Sequence, residues 1–209
     1  MTSEDFISKA VLIAIFLLIA FPVHEFAHAY VAYRLGDGTA KMFGRLTLNP
    51  IVHFDMFGGL MLIISALYSG FLFGWAKPTP VNPAMLRDRR NGELWVALAG
   101  PASNLIMAIA GAVVVRIVIA ADIALPSIVA TILLDFVYFN IALGIFNLIP
   151  IPPLDGSTLL FRFLDPRTAY QLRPVLSQYG FLILVVLILF GGQALGSFIV
   201  SVTRVLVGQ

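Results

Sequence analysis

Five long apolar stretches, at residues 6–33, 56–73, 93–121, 127–149 and 175–207, constrain what this chain can fold into more than any other feature. A hydrocarbon core about 30 Å thick takes a helix of about 20 apolar residues. Each stretch is therefore close to the length of a span or longer, and little of the 209 residues is left for a domain outside a bilayer. Composition agrees: 60% of residues are hydrophobic and 11% charged, with a mean hydropathy of +0.97, where soluble domains carry about 25% charge. A water-soluble enzyme is excluded. The fold class is an all-α polytopic membrane protein with about five to six transmembrane helices. The chain has no cysteine, so it has no disulfide framework, thiolate metal site or thiol nucleophile. A net charge of +2 is too small an excess to favour nucleic acid as a partner. The last stretch is interrupted by Gly191-Gly192-Gln193 and reads as two short spans or one span plus an interfacial helix. Residues 10–21 have the length of a signal-peptide core, but Glu4 and Asp5 offset Lys9 where such a peptide needs positive charge. The segment is read as staying in place.

Within the first stretch stands His24-Glu25-Phe26-Ala27-His28. On a helix, positions i and i+4 share a face, so both imidazoles can reach one metal ion. Glu25 beside them is placed to act as a base on a metal-activated water. Ionisable groups at the centre of a span cost about 2.5–3.5 kcal/mol on insertion scales and are functional by default. Three of them within this pentapeptide need a partner, and a divalent cation supplies it. Catalytic zinc takes three protein ligands and keeps one position open, so one ligand lies elsewhere. His53 is the one remaining histidine, a candidate ligand or, with Asp55, a residue lining a water path. Asp155 closes the run NLIPIPPLDG at 147–156, where prolines end the helix and free backbone groups. It reads as a ligand or as a turn residue before glycine. Two histidines and a carboxylate with an open position suit zinc.

HEFAHAY, GPASN at 100–104 and NLIPIPPLDG together resemble the site-2 protease family of intramembrane zinc metalloproteases, in the family's order and over most of residues 6–156. The resemblance implies one Zn2+ per chain held by His24, His28 and Asp155, with Glu25 as general base. It implies that Asn147 orients or stabilises the substrate carbonyl and that Asn104 gives structural support. The implied activity is cleavage of a transmembrane protein substrate within or near the bilayer, as in regulated intramembrane proteolysis. Residues 1–209 read as one membrane-embedded protease domain, with its motifs within 6–156 and C-terminal helices in 175–207. They contain no PDZ- or CBS-like segment of the kind relatives use to filter substrates. The alternatives are a metal-binding scaffold or transporter, and a hydrolase acting on a lipid or a prenylated peptide. Transport calls for polar groups along a path through several helices, whereas here they concentrate at one site.

The site also constrains topology. His24 and His28 lie late in their helix and Asp155 lies just past the end of its own, so the two helices run parallel and an odd number of spans separates them. The segment 56–73 is then re-entrant. It is flanked by RLTLN at 45–49 and KPTPVN at 77–82, which read as the two strands of a small β-hairpin. An exposed strand edge could pair with an unwound substrate, which makes Leu46, Thr47 and Leu48, together with Asn104 and Asn140, candidate substrate contacts. Asp135 and Asn140 read as interhelical hydrogen-bonding groups, and Arg116 as a residue snorkelling to the far interface. The run Arg87-Asp88-Arg89-Arg90 reads as a topogenic loop. A re-entrant 56–73 gathers Arg34, Lys41, Arg45, Lys77, Arg87, Arg89, Arg90, Arg162, Arg167 and Arg173 on one side, with Lys9 opposite. The positive-inside rule then puts the N-terminus outside a cell membrane and the active site toward the cytoplasmic leaflet.

Overall fold

A computed structural model describes residues 10–11, 13–68, 74 and 77–208. Lys9, the start of the first apolar stretch and the end of the second fall outside the described residues. Four helices are long and apolar enough to cross a membrane: α1 (Ile13–Arg34), α5 (Arg89–Ala120), α6 (Ser127–Asn147) and α8 (Pro166–Val207). Between α1 and α5 lie the short helices α2 (Thr39–Met42), α3 (Pro50–His53) and α4 (Met56–Tyr68), and a 3₁₀ turn at Pro83–Met85. Helix α7 (Gly156–Phe163) joins α6 to α8.

The residues that flank the second apolar stretch, His53 and Lys77, meet. Helix α4 has 13 residues, roughly 20 Å at 1.5 Å per residue, against a hydrocarbon core about 30 Å thick. Lys77 N–H donates to the carbonyl of His53 at 2.9 Å, so the chain leaves this excursion where it entered. A Cβ at Gly74 would lie 2.6 Å from the Gly58 carbonyl oxygen and 2.7 Å from Leu62 Cβ, so Gly74 packs on α4.

Two expectations are corrected. No strand occurs among the described residues, and the predicted hairpin of 45–49 with 77–82 does not form. Its backbone donors are spent elsewhere: Lys77 on His53, Thr79 on Glu25 and Asn82 on Asp37. Pro78 and Pro80 have no N–H to give. On the other side, the Thr47 carbonyl accepts His53 Nε2 at 2.8 Å and Asn49 N–H turns back to Thr47 Oγ1.

The last apolar stretch is neither two spans nor a span plus a separate helix. Helix α8 runs unbroken for 42 residues through Gly191-Gly192-Gln193. It is about 63 Å long, twice the hydrocarbon thickness, so its polar first part projects beyond the span. Glycine costs a helix only about 1 kcal/mol. Backbone groups freed inside a bilayer cost several, so the helix continues.

Helices α1, α5 and α6 form the packed unit. Small residues let α5 approach its neighbours: Ala108, Ala112 and Val115 pack with Val137, Ile141, Ile199 and Val207. Arg116 is exposed at the end of its helix. Its guanidinium donates to the carbonyls of Val205 (2.7 Å) and Leu206 (2.6 Å), capping the C-terminus of α8, where cations are favourable. The C-terminal ends of α5 and α8 are thus neighbours, at the end of the bundle opposite Asp155.

Candidate metal centre

The site begins with an irregularity in α1. Pro22 lacks the N–H that would bond the carbonyl of residue 18, and the preceding turn widens to a π-helix over Phe16–Ala20. Such turns recur at functional sites. Here the carbonyl of Ala20 is reached by Asn104 Nδ2 at 3.2 Å.

One turn on, His24 and His28 are both buried and face α5. Asn104 fixes the protonation of the first. Its Nδ2 donates to the Ala20 carbonyl and to Asn140 Oδ1 at 3.0 Å, so the atom 2.6 Å from His24 Nδ1 is the acceptor Oδ1. His24 Nδ1 must then donate. His28 Nδ1 lies 2.7 Å from the carbonyl of Val96, which can only accept, so it donates as well. The next carbonyl along, that of Ala97, loses its helical donor to Pro101.

With both Nδ1 atoms protonated, the neutral rings turn bare lone pairs at Nε2 toward one another. The two Nε2 atoms are 3.1 Å apart, and Asp155 Oδ2 lies 3.2 Å from the first and 3.3 Å from the second. Asp155 Oδ2 is buried without a hydrogen bond. Three acceptors this close repel unless a cation sits among them. Ligands about 2.0–2.1 Å from a tetrahedral zinc are roughly 3.3 Å from each other, so the spacing fits such an ion. Burial pushes the Asp155 carboxyl up, but hydrogen bonding and charge from His24 and His28, when those rings are protonated, outweigh it and bring the pKa to about 2.

Glycine makes the convergence possible in two places. A Cβ at Gly100 would sit 2.3 Å from His28 Nε2 and 2.6 Å from His24 Nε2, inside the cluster. A Cβ at Gly156 would sit 2.2 Å from the Leu148 carbonyl oxygen, in the turn that carries Asp155 back to the histidines. Glu25 is buried, and its Oε2 accepts the Thr79 N–H at 2.8 Å.

These residues meet at one cavity. It has a volume of about 1140 Å³ and is bordered by His24, Glu25, His28 and Asp155, by Thr79, and by Asn147. A family model, peptidase family M50, matches residues 114–190, a range that includes Asp155. Over 191 residues the chain is 38% identical to a Bacillus subtilis (strain 168) protein provisionally named zinc metalloprotease YwhC, covering 90% of this chain and 83% of that protein. The chain belongs to peptidase family M50. It is 33% identical over 174 residues to a Mycolicibacterium smegmatis protein provisionally named zinc metalloprotease Rip2, covering 82% of this chain and 64% of that one. The chain therefore spans less than two thirds of Rip2. No solved structure matches.

In this M50 peptidase the positions picked from sequence fall into three groups. His24, His28, Glu25, Asp155 and Asn147 border one cavity. Asn104 and Asn140 do not. Both are wholly buried and their amides are engaged inside the protein, Asn140 Nδ2 with the Phe136 carbonyl. They therefore stand behind the site and are not placed to touch a substrate. Leu46, Thr47 and Leu48 border neither cavity described here, since their segment folds onto His53. His53 joins no metal-binding group among the described residues. With Asp55, which caps α4 through Gly58 N–H at 2.8 Å, it lines a separate apolar cavity of about 310 Å³. The Asp135 carboxylate makes no hydrogen bond among the described residues. Sequence reasoning missed Thr79, Asp37 and the Val96 carbonyl. No local pattern marks them, because each acts through a partner more than 40 residues away.

Proposed function

We propose that this chain is an intramembrane zinc metalloprotease that hydrolyses peptide bonds of transmembrane proteins within or near the bilayer, the step that regulated intramembrane proteolysis requires. We also read residues 1–209 as a single membrane-embedded protease domain. The observation that carries the reading is the convergence of three buried acceptors, His24 Nε2, His28 Nε2 and Asp155 Oδ2, at 3.1–3.3 Å with no donor among them. One zinc ion per chain, held by these three atoms, resolves their repulsion. Bound there, zinc lowers the pKa of water toward ~7 and polarises a carbonyl.

The chain's own groups do the rest. Glu25 takes the proton of the attacking water and returns it to the leaving nitrogen. Asn147 spends one amide hydrogen on the Leu143 carbonyl at 3.0 Å and keeps its second for the developing oxyanion. Asn104, backed by Asn140, holds the tautomer and orientation of His24, as carboxylates and carbonyls do behind metal-binding histidines elsewhere. A substrate helix has its peptide groups bonded internally and must unwind to be cut. Pro78, Thr79 and Val81 border the cavity that the unwound strand would enter. By the positive-inside rule the N-terminus lies outside the cell membrane and the cavity toward its cytoplasmic leaflet.

The test is the zinc content of detergent-purified wild type, Glu25→Gln and Asp155→Ala, each paired with cleavage of a model transmembrane peptide. Wild type and Glu25→Gln are expected to hold stoichiometric zinc, with cleavage in wild type alone, and Asp155→Ala to lose both. Full activity in Asp155→Ala would overturn the ligand set. Zinc without cleavage in any sample would overturn the peptidase reading in favour of a metal-binding scaffold.

A further inference from the structure

Glu25 is a long side chain, and fixing such a chain in one rotamer costs about 1.5–2 kcal/mol of entropy. A base must nevertheless be held within hydrogen-bond reach of the proton it takes. Nothing on α1 holds it. The holder comes from the loop between α4 and α5. Thr79 N–H donates to Glu25 Oε2 at 2.8 Å, and Thr79 Oγ1 donates to the Glu25 main-chain carbonyl at 3.1 Å. One residue thus grips the base at both its carboxylate and its backbone, and a carboxylate held through one oxygen keeps the other for chemistry.

Thr79 is itself held in place. Pro78 and Pro80 flank it and restrict the backbone. Lys77 N–H is bound by the His53 carbonyl on one side, and Asn82 N–H by Asp37 Oδ2 at 2.6 Å on the other. Farther along, Arg87 N–H donates to the Leu35 carbonyl at 3.0 Å. Asp37 follows α1 directly and is completely buried. Its carboxylate also accepts the Thr39 N–H at 2.9 Å and the Thr39 hydroxyl. Burial alone would raise its pKa, but the Thr39 hydroxyl and the N–H groups of Asn82 and Thr39 more than offset that and lower it. A charged, fully buried group accepting three hydrogen bonds and facing no counter-ion within salt-bridge distance among the described residues is expensive to keep. Those bonds tie the end of α1 to the segment over the cavity.

We infer that Thr79 is a positioning residue for the base Glu25 and that Asp37 sets it in place through Asn82, so that the middle of α1, at Glu25, and the turn after its C-terminal end, at Asp37, are joined to one strap across the site. The inference rests on the peptidase reading above. The strap is a fixed part of the active site, and the proton transfer by Glu25 depends on it while substrate affinity does not.

The experiment uses the full chain in detergent with a model transmembrane peptide, measuring kcat, KM and bound zinc for each variant. Thr79→Ser keeps both contacts, Thr79→Val keeps only the N–H, and Thr79→Pro removes both in a segment already rich in proline. Asp37→Asn loosens the strap without touching Thr79. The expected kcat order is wild type and Thr79→Ser, then Thr79→Val, then Thr79→Pro. In Thr79→Pro and Asp37→Asn kcat falls roughly 10- to 100-fold, with KM and zinc at wild-type values. Wild-type kcat in Thr79→Pro, or a fall in kcat matched by zinc loss in both Thr79→Pro and Asp37→Asn, overturns the inference while wild-type cleavage still stands. Absence of cleavage in wild type itself is the separate failure of the peptidase reading.

Discussion

The two halves of α5 meet their neighbours by opposite means. In the first half, Val96 offers a carbonyl to His28, Asn104 links His24, Ala20 and Asn140, and Gly100 leaves room for both imidazoles. In the second half, Ala108, Gly111, Ala112 and Val115 present a shallow apolar surface to α6, and Arg116 clasps the end of α8. Lipid tails are as apolar as leucine, so burial from lipid drives neither half together. Close packing and hydrogen bonds do. In the polar half each contact has one partner and no substitute, so a single change empties it. In the apolar half shape is shared among many side chains, and a single change is felt only in part.

The largest effect to test this contrast is expected at Gly100. Gly100→Leu drives a side chain between His24 and His28 and should leave less than about 1% of wild-type cleavage and no stoichiometric zinc. Metal analysis of the purified variant reads this directly, and normal zinc content would mean the cluster has room the geometry denies it. Next comes Asn104→Ala. With the His24 tautomer no longer held, zinc affinity should weaken about 10- to 100-fold, read by competition with a chelator of known affinity.

The apolar half should behave differently. Gly111→Leu places a side chain against Val137 Cγ2 and Phe136 Cδ1, which a Cβ alone would approach to 2.9 and 3.0 Å. Overpacking of this kind costs about 1–3 kcal/mol, seen as a lower unfolding midpoint in denaturing detergent with zinc affinity unchanged. A shift in zinc affinity there would break the separation of the halves. The smallest effect is expected for Arg116→Gln. Two exposed hydrogen bonds at a helix end are worth about 1 kcal/mol together, so the last turn of α8 should exchange its amide hydrogens faster, with activity intact.

Legibility followed the range of the interactions. Helices α1, α5 and α6 lie close to the apolar stretches that announced them, because hydropathy and a bilayer's thickness act on contiguous residues. HEFAH placed its two histidines on one face because the helical period is local. GPASN and NLIPIPPLDG were visible as motifs, yet what Gly100 does there is not: it takes the coordinates to show that its missing Cβ is the space the imidazoles occupy. The β-hairpin went wrong for a physical reason that composition hides. Residues 77–82 are extended, as their prolines suggest, but Glu25 and Asp37 claim their donors before another strand can. Helix α8 went wrong because the weakening by two glycines is outweighed by the cost of exposing backbone to lipid.

The sequence by itself determined that this is a helical membrane protein and which helix presents a pair of histidines. Each follows from periodicity, length or charge within a short window. The tertiary structure decided which carboxylate meets the histidines, which groups hold their tautomers, and that a loop residue 54 positions along the chain grips Glu25. Those choices depend on hydrogen-bond donors and acceptors brought together from separate helices, and no window of sequence contains both partners.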